Sequence, residues 1–165
     1  MTSKKILEKC KLIKLVITDV DGVLTDGGMY YSEKGEVLKK FNARDGMGVE
    51  ILLQNKIKTI LLTRENSNIA KKRGSKIKTA ATYIGILNKK SHLKKISKKF
   101  KVPLARIAYV GDDLNDLEIM KLVGFTATPT DGIQDLQKIA DYVCKNNGGH
   151  GAFREIVDLI VLSRR

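Results

Sequence analysis

Hydrophobic and polar positions alternate along this chain in two rhythms that change places repeatedly. A charged, helix-period N-terminal segment leads into the apolar-rich run Ile13–Ile17, broken only by Lys14, which reads as a buried strand. Residues 29–41 then alternate with period two: Met29 to Ser32, a turn at Glu33-Lys34-Gly35, and Glu36 to Phe41 predict a β-hairpin. The stretch 42–46 reads as a turn opening a helix over Met47 to Gln54, followed by a core strand over 58–62 ending in Thr63. Asn66 or Ser67 supplies the cap of a helix that runs through Arg73 and Ile77, and a short strand falls near 82–84. A lysine-rich helix begins around Lys89, a core strand occupies 107–110, and a helix follows it to about Leu122. Short strands at 124–127 and 141–144 flank a helix over 133–140, and the Gly148-Gly149-His150-Gly151 segment opens a last helix through Ile160. Strands alternating with amphipathic helices predict an α/β fold: a Rossmann-like, doubly wound parallel sheet carrying an inserted β-hairpin.

No internal repeat, low-complexity tract or Pro/Ser linker interrupts the 165 residues, so one domain over 1–165 is expected. Cys10 and Cys144 match no metal spacing and no disulfide framework. With no secretory leader, a reducing cytoplasmic setting is expected. The apolar run Leu159–Leu162 is far too short to span a bilayer.

Charge alters this picture only slightly. Thirty-one basic residues against 18 acidic give a net +13, which raises the question of nucleic acid. In the most basic segment, Leu93, Ile96 and Phe100 form one helical stripe while Lys94, Lys95, Lys98, Lys99 and Lys101 fill the remainder. That is the pattern of a solvated helix face, and no nucleic-acid-binding motif accompanies it. A positive field equally attracts a small phosphorylated, carboxylated molecule.

The chemistry concentrates where strands end. The first strand delivers Asp19 and Asp21 into the Gly-containing turn Asp19-Val-Asp-Gly-Val-Leu-Thr-Asp-Gly27. Ligands of parallel α/β sheets bind just past the carboxyl ends of the strands. A turn beginning at Asp21 lets the two acids take different roles, one as nucleophile and the other as general acid and base. A second acidic cluster, Gly111-Asp112-Asp113-Leu-Asn-Asp116, follows the strand over 107–110. Adjacent carboxylates repel unless a cation offsets them, so this cluster is poorly explained by folding alone.

These segments resemble the first and fourth motifs of the haloacid dehalogenase superfamily of phosphatases. The resemblance implies that Thr63, otherwise readable as a turn former, bonds the phosphoryl oxygens, and that Lys89 neutralises their charge. Lys90 is adjacent, so that assignment can slip by one residue. The implied cofactor is Mg²⁺, held by the Asp19 carboxylate, the Asp21 backbone carbonyl and the Asp112 carboxylate. Asp113 and Asp116 would then stand behind the metal, or Asp116 would simply serve as a helix-start acid. The implied mechanism forms an aspartyl phosphate on Asp19, with Asp21 exchanging protons.

Superfamily members usually carry a cap domain after the first or second motif. Here residues 26–45 hold only a hairpin and 64–88 only one helix and one strand, so no cap domain is expected. The capless form, with Phe41-Asn-Ala-Arg-Asp-Gly-Met-Gly48 and Gly148-Gly-His-Gly-Ala-Phe-Arg-Glu155, resembles the 3-deoxy-D-manno-octulosonate (KDO) 8-phosphate phosphatase family from about Ile13 to Leu162. That family implies a homotetramer in which a neighbour's hairpin and C-terminal segment line the active site. One departure stands out: Thr63 is followed by Arg64-Glu65, where octulosonate phosphatases tend to have Gly-Arg. Glu65, with Arg73 and Lys76, is more like relatives acting on the 9-phosphates of 2-keto-3-deoxynononic acid (KDN) or sialic acids. Glu65 would accept hydrogen bonds from sugar hydroxyls and Arg73 or Lys76 would meet a carboxylate; the plain alternative is a helix-start acid with surface basic residues. The alternatives in function are a phosphatase of another small ester, or a non-catalytic oligomerisation domain related to that fused to some CMP-sialate synthetases. Roles for Arg44, Asp45 and Arg154 stay open, Gly46 and Gly48 read as turn and packing residues, and His150 as a loop residue.

Overall fold

A computed structural model describes residues 4–165. Six strands form one parallel sheet: β1 (Leu15–Thr18), β4 (Lys58–Leu62), β5 (Ala81–Tyr83), β6 (Ile107–Val110), β7 (Phe125–Thr128) and β8 (Tyr142–Val143), in the order β5-β4-β1-β6-β7-β8. Strands β2 (Tyr30–Ser32) and β3 (Gly35–Leu38) make a separate antiparallel hairpin between β1 and β4 in sequence. After β1 the chain builds outward through β4 and β5, then returns to the other side of β1 for β6 to β8. The order therefore reverses between β1 and β6, which opens a crevice at their carboxyl ends.

Burial on both faces explains the apolar runs. Every residue of β1 and β6 is buried, and alternate side chains feed opposite layers. Val16, Ala108 and Val110 face a core completed by α1 (Lys4–Leu12), α2 (Ala43–Gln54), Ala70 of α3 (Asn68–Lys76), and α7 (Ala152–Leu162). Leu15, Ile17, Ile107 and Tyr109 face α4 (Lys89–Phe100), α5 (Leu117–Met120) and α6 (Gln134–Ile139). On α4, Leu93 and Ile96 are buried and Phe100 half-buried, while the five lysines at 94, 95, 98, 99 and 101 are exposed. No helix among the described residues is long and apolar enough to cross a membrane.

Several helix boundaries differ from the sequence reading. Helix α2 begins at Ala43, not Met47, because the Asn42 side chain caps it, accepting from the Arg44 N–H at 2.9 Å. Gly46 and Gly48 lie inside the helix, where a Cβ would fall 2.8 Å from Arg73 Nη2 and 3.2 Å from Val157 Cγ2. Their smallness serves helix packing, and the turn ends before them. After β6 the chain makes a 3₁₀ turn, Leu114–Asp116, and only then the short α5, because Asp113 caps the turn through the Leu114 N–H at 2.7 Å. The final helix runs to Leu162.

Candidate active site

The crevice between β1 and β6 collects the acids. Asp19 extends β1 by one residue, donating its N–H to the Val110 carbonyl at 2.9 Å, and its side chain is buried at the crevice floor. Its Oδ1 accepts the Val20 N–H at 2.7 Å and its Oδ2 the Lys89 ammonium at 2.5 Å. The chain then turns sharply, with the N–H groups of Leu24 and Thr25 converging on the Val20 carbonyl. Gly22 takes φ +83°, and a Cβ there would lie 1.9 Å from Asp112 Oδ2. Glycine is thus required twice over: by the backbone conformation and by the approach of Asp112. Gly148 plays the second part from behind, since a Cβ there would fall 1.9 Å from the Gly22 carbonyl oxygen.

Asp21, in the turn, is partly exposed and faces the crevice mouth. Its Oδ2 accepts the Thr63 hydroxyl at 3.3 Å and its Oδ1 the Lys39 ammonium at 2.5 Å. Thr63 stands one residue past β4, with its N–H on the Tyr83 carbonyl at 3.0 Å. Lys89 opens α4 and is buried: its ammonium bridges Asp19 and Asp116 Oδ1, the latter at 2.6 Å. Lys90, by contrast, lies at the surface against Glu118. Of the two adjacent lysines, Lys89 is the one that reaches the buried acids.

Asp116 is fully buried and saturated. Its Oδ1 takes Lys89 and the Tyr109 hydroxyl at 2.5 Å, and its Oδ2 takes the Asp112 N–H at 3.0 Å. It is a hub that fixes Lys89 and the Asp112 backbone, which is more than a helix-start acid. Asp112 Oδ1, in contrast, is buried with no hydrogen-bond partner. Burial, reinforced by Asp19 and Asp116, pushes the Asp112 carboxyl up to about 8. Burial and then Asp116 push Asp19 up to about 7, against the opposing pull of Lys89.

Oxygens of Asp19, Asp112 and Asp116 all lie within 4.8 Å of one another. Asp116 has spent its oxygens, which leaves Asp19 and Asp112 as the pair with capacity to spare. An orphaned buried oxygen and two carboxyls that burial holds short of charge are what a hard divalent cation would relieve. The residues present fit such an ion.

A cavity of about 240 Å³ opens over this floor. Asp19, Asp21, Thr63, Arg64, Glu65 and Asp112 line it, which puts Glu65 in the same cavity as the acids. Arg73 and Lys76 line a different cavity, of about 500 Å³, with Gly46, Met47 and Ile77. The Arg73 guanidinium donates to the Asn42 carbonyl at 3.0 Å and lies 5.2 Å over the Phe41 ring, which commits it to the α2–α3 seam and away from the crevice of its own chain. Arg44, His150 and Arg154 border a third hollow. Asp45 is buried, accepts the Arg154 N–H at 2.9 Å through Oδ1, and ties α2 to the start of α7. Sequence reasoning missed Lys39, Glu36 and Tyr109; a lysine at the end of an alternating strand carries no local signal of its role.

A family model described as haloacid dehalogenase-like hydrolase matches residues 54–156. The 3-deoxy-D-manno-octulosonate 8-phosphate phosphatase of Escherichia coli (strain K12) is 36% identical over 162 residues, covering 98% of this chain and 86% of that protein. The chain belongs to the 3-deoxy-D-manno-octulosonate 8-phosphate phosphatase family of these hydrolases. Two solved members of the family superpose closely. The crystal structure of the Yersinia pestis phosphatase gives a TM-score of 0.95 at 33% identity, covering 98% of this chain and 87% of that one. The Moraxella catarrhalis phosphatase, crystallised with magnesium ion, phosphate ion and a KDO molecule, gives 0.94 at 33% identity, covering 97% and 92%. Membership makes this chain a hydrolase.

Proposed function

We propose that this chain is a Mg²⁺-dependent phosphatase that hydrolyses the phosphate monoester of a 2-keto-3-deoxy sugar acid through an aspartyl phosphate on Asp19. The observation that carries the reading is the meeting of Asp19, Asp21, Thr63, Lys89 and Asp112 in one crevice, from four separate strand and helix ends. The Moraxella relative with magnesium, phosphate and KDO supports the cofactor and the class of substrate.

Asp19 attacks phosphorus, an O–P bond forms, and the bond from phosphorus to the sugar oxygen breaks. Asp21 gives a proton to the departing alkoxide. It then takes one from the water that attacks the phosphoryl group, breaking the bond to Asp19 and releasing phosphate. Thr63 and Lys89 orient the phosphoryl oxygens and offset their charge. Asp19 and Asp112 would hold Mg²⁺, with the Asp21 carbonyl as the third protein oxygen that the family resemblance implies. When bound, the ion supplies charge neutralisation at the phosphoryl oxygens and favours the ionised form of Asp19.

The substrate chain has eight or nine carbons. Glu65 in the cavity lining favours the longer KDN or N-acetylneuraminate 9-phosphates, and the relatives favour KDO 8-phosphate. Arg73 and Lys76 lie outside their own chain's crevice, so a part in substrate binding requires a second copy. A homotetramer with shared sites suits the hairpin, whose Met29, Tyr30, Tyr31, Val37 and Leu38 are exposed on a ribbon not paired with the main sheet. The expected setting is the cytoplasm, and the intact acid set argues against a purely structural domain.

The test is phosphate release with Mg²⁺ from KDO 8-phosphate, KDN 9-phosphate and N-acetylneuraminate 9-phosphate. Turnover of one of them that vanishes in Asp19→Asn is expected; silence on all three from folded protein, or activity in Asp19→Asn, overturns the reading.

A further inference from the structure

Asp21 must present its carboxyl to the leaving oxygen and then to water, yet its position in a turn does not by itself fix the rotation of that group. What fixes it comes from the hairpin. Lys39 follows β3, and its side chain has no exposed surface. Its ammonium lies 2.5 Å from Asp21 Oδ1 and 2.5 Å from Glu36 Oε1. Glu36 Oε2 in turn accepts the Ser67 hydroxyl at 2.5 Å, and Ser67 caps α3. Burial works against the Lys39 charge, but its bonds to Asp21 and Glu36 outweigh that and hold the ammonium above its usual range. A relay thus runs from the body of the protein through the hairpin to the acid.

A buried ammonium between two carboxylates is a poor choice for stability alone, because apolar side chains of similar volume in place of the whole cluster do as well without the desolvation cost. Geometry points to another use. Lys39 holds one Asp21 oxygen, and the Thr63 hydroxyl meets the other only until a phosphoryl group claims its single proton, so Lys39 is the donor that stays on the carboxyl. We propose that Lys39, braced by Glu36 and Ser67, is a positioning residue that orients Asp21 for its two proton transfers, so that the seating of the hairpin governs the chemical step. This rests on the phosphatase reading given above. No bond to Lys39 forms or breaks: the proton leaves Asp21 for the alkoxide and returns to it from water, and the ammonium offsets the carboxylate charge in between.

A lysine that merely anchored the hairpin would affect all substrates alike when lost; one that aims a general acid would not. Among esters, kcat/KM reports the steps through loss of the alcohol. A sugar alkoxide needs a proton to leave, whereas p-nitrophenolate does not. The experiment compares kcat/KM, with Mg²⁺, for p-nitrophenyl phosphate and for whichever of the three sugar-acid phosphates the wild type turns over fastest. Lys39→Met is expected to lose about 100-fold on the sugar ester and under about tenfold on the aryl ester, the scale of a general acid's contribution. Lys39→Arg should recover most of the loss, and Asp21→Asn should show the same selectivity. Glu36→Gln, which keeps the lysine but weakens its brace, should show it in milder form, and it carries the test if Lys39→Met does not fold. Equal loss on both esters in these variants, or none, overturns the proposal while leaving the phosphatase reading standing. A wild type inactive on every ester overturns both.

Discussion

Replacing Lys89 by methionine tests the electrostatic core of the site. The two side chains are close in volume, so packing is nearly conserved and the charge is what disappears. The Lys89 ammonium sits between Asp19 at 2.5 Å and Asp116 at 2.6 Å, and all three side chains are almost wholly buried. Removing one partner from a buried pair leaves an uncompensated charge and costs about 3–5 kcal/mol. For a chain of this length each kcal/mol lowers Tm by about 2–4 °C, so a fall on the order of 10–15 °C is expected. The part of the cost that falls on Asp19 exists only while that carboxyl is ionised, so it should be smaller in mild acid than in alkali. Putting Asp19→Asn in the same chain removes one of the stranded carboxylates and should recover at least about 1.5 kcal/mol in a double-mutant cycle. Thermal and urea unfolding of the four proteins without metal provide the assay. A Lys89→Met melting point close to wild type, or strictly additive effects of the two changes, would refute the picture of a cation balanced between two buried acids.

Three further outcomes follow from the same geometry. In EDTA, stability should fall as pH rises from about 4 to about 8. The folded pKa values of Asp19 and Asp112 lie near 7 and 8 against 3.8 for an unperturbed aspartate, so the folded state holds more protons across that window, and their contribution is present below it and lost through it. Mg²⁺ should flatten the slope, and a slope of opposite sign in urea melts would contradict the assignment. Gly22→Ala should raise the Mg²⁺ concentration needed for half-maximal activity at least about tenfold, because a Cβ at 1.9 Å displaces Asp112 Oδ2; an unchanged metal requirement would show that Asp112 is not a ligand. Asp45→Ala should lower stability by about 1–3 kcal/mol by stranding the Arg154 N–H, with Mg²⁺ dependence intact in the activity that remains. A wild-type melting point would show that Asp45 does not tie α2 to α7.

The parts of this molecule that were legible in its sequence are those encoded over short stretches. Apolar strands buried on both faces announce themselves, and acids at the ends of β1 and β6 stand beside the glycines that shape their turns. Helix α4 could be read from the spacing of Leu93, Ile96 and Phe100 among its lysines. The illegible parts depend on partners distant in sequence. Lys39 is one of 31 basic residues, and nothing nearby distinguishes it until Asp21, 18 positions away, is brought against it. Tyr109 reads as a core residue and is one, yet its hydroxyl helps to hold Asp116. Arg73 and Lys76 fall where a helix after the second motif should present them, but the packing of α3 on α2 turns them toward Phe41 and Met47. The early start of α2 was hidden by two glycines that look like turn residues and are spacers between helices.

The loop at Gly148 and Gly149 also bears on how this enzyme comes into being. Gly149 donates to the Val23 carbonyl at 3.0 Å, Asn42 donates to the Gly149 carbonyl at 3.2 Å, and Gly148 lies flat against Gly22. Every side chain assigned a part in the proposed reaction precedes this loop in the order of synthesis, yet the turn that carries Asp21 and Gly22 is not closed from behind until the loop arrives. A nascent chain on the ribosome, folding from its N-terminus, would hold the full set of acids and still lack the loop that packs against their turn. Catalytic competence should therefore appear abruptly as residues beyond Gly148 emerge, and a premature stop codon ahead of them would yield a product with an intact motif and no turnover.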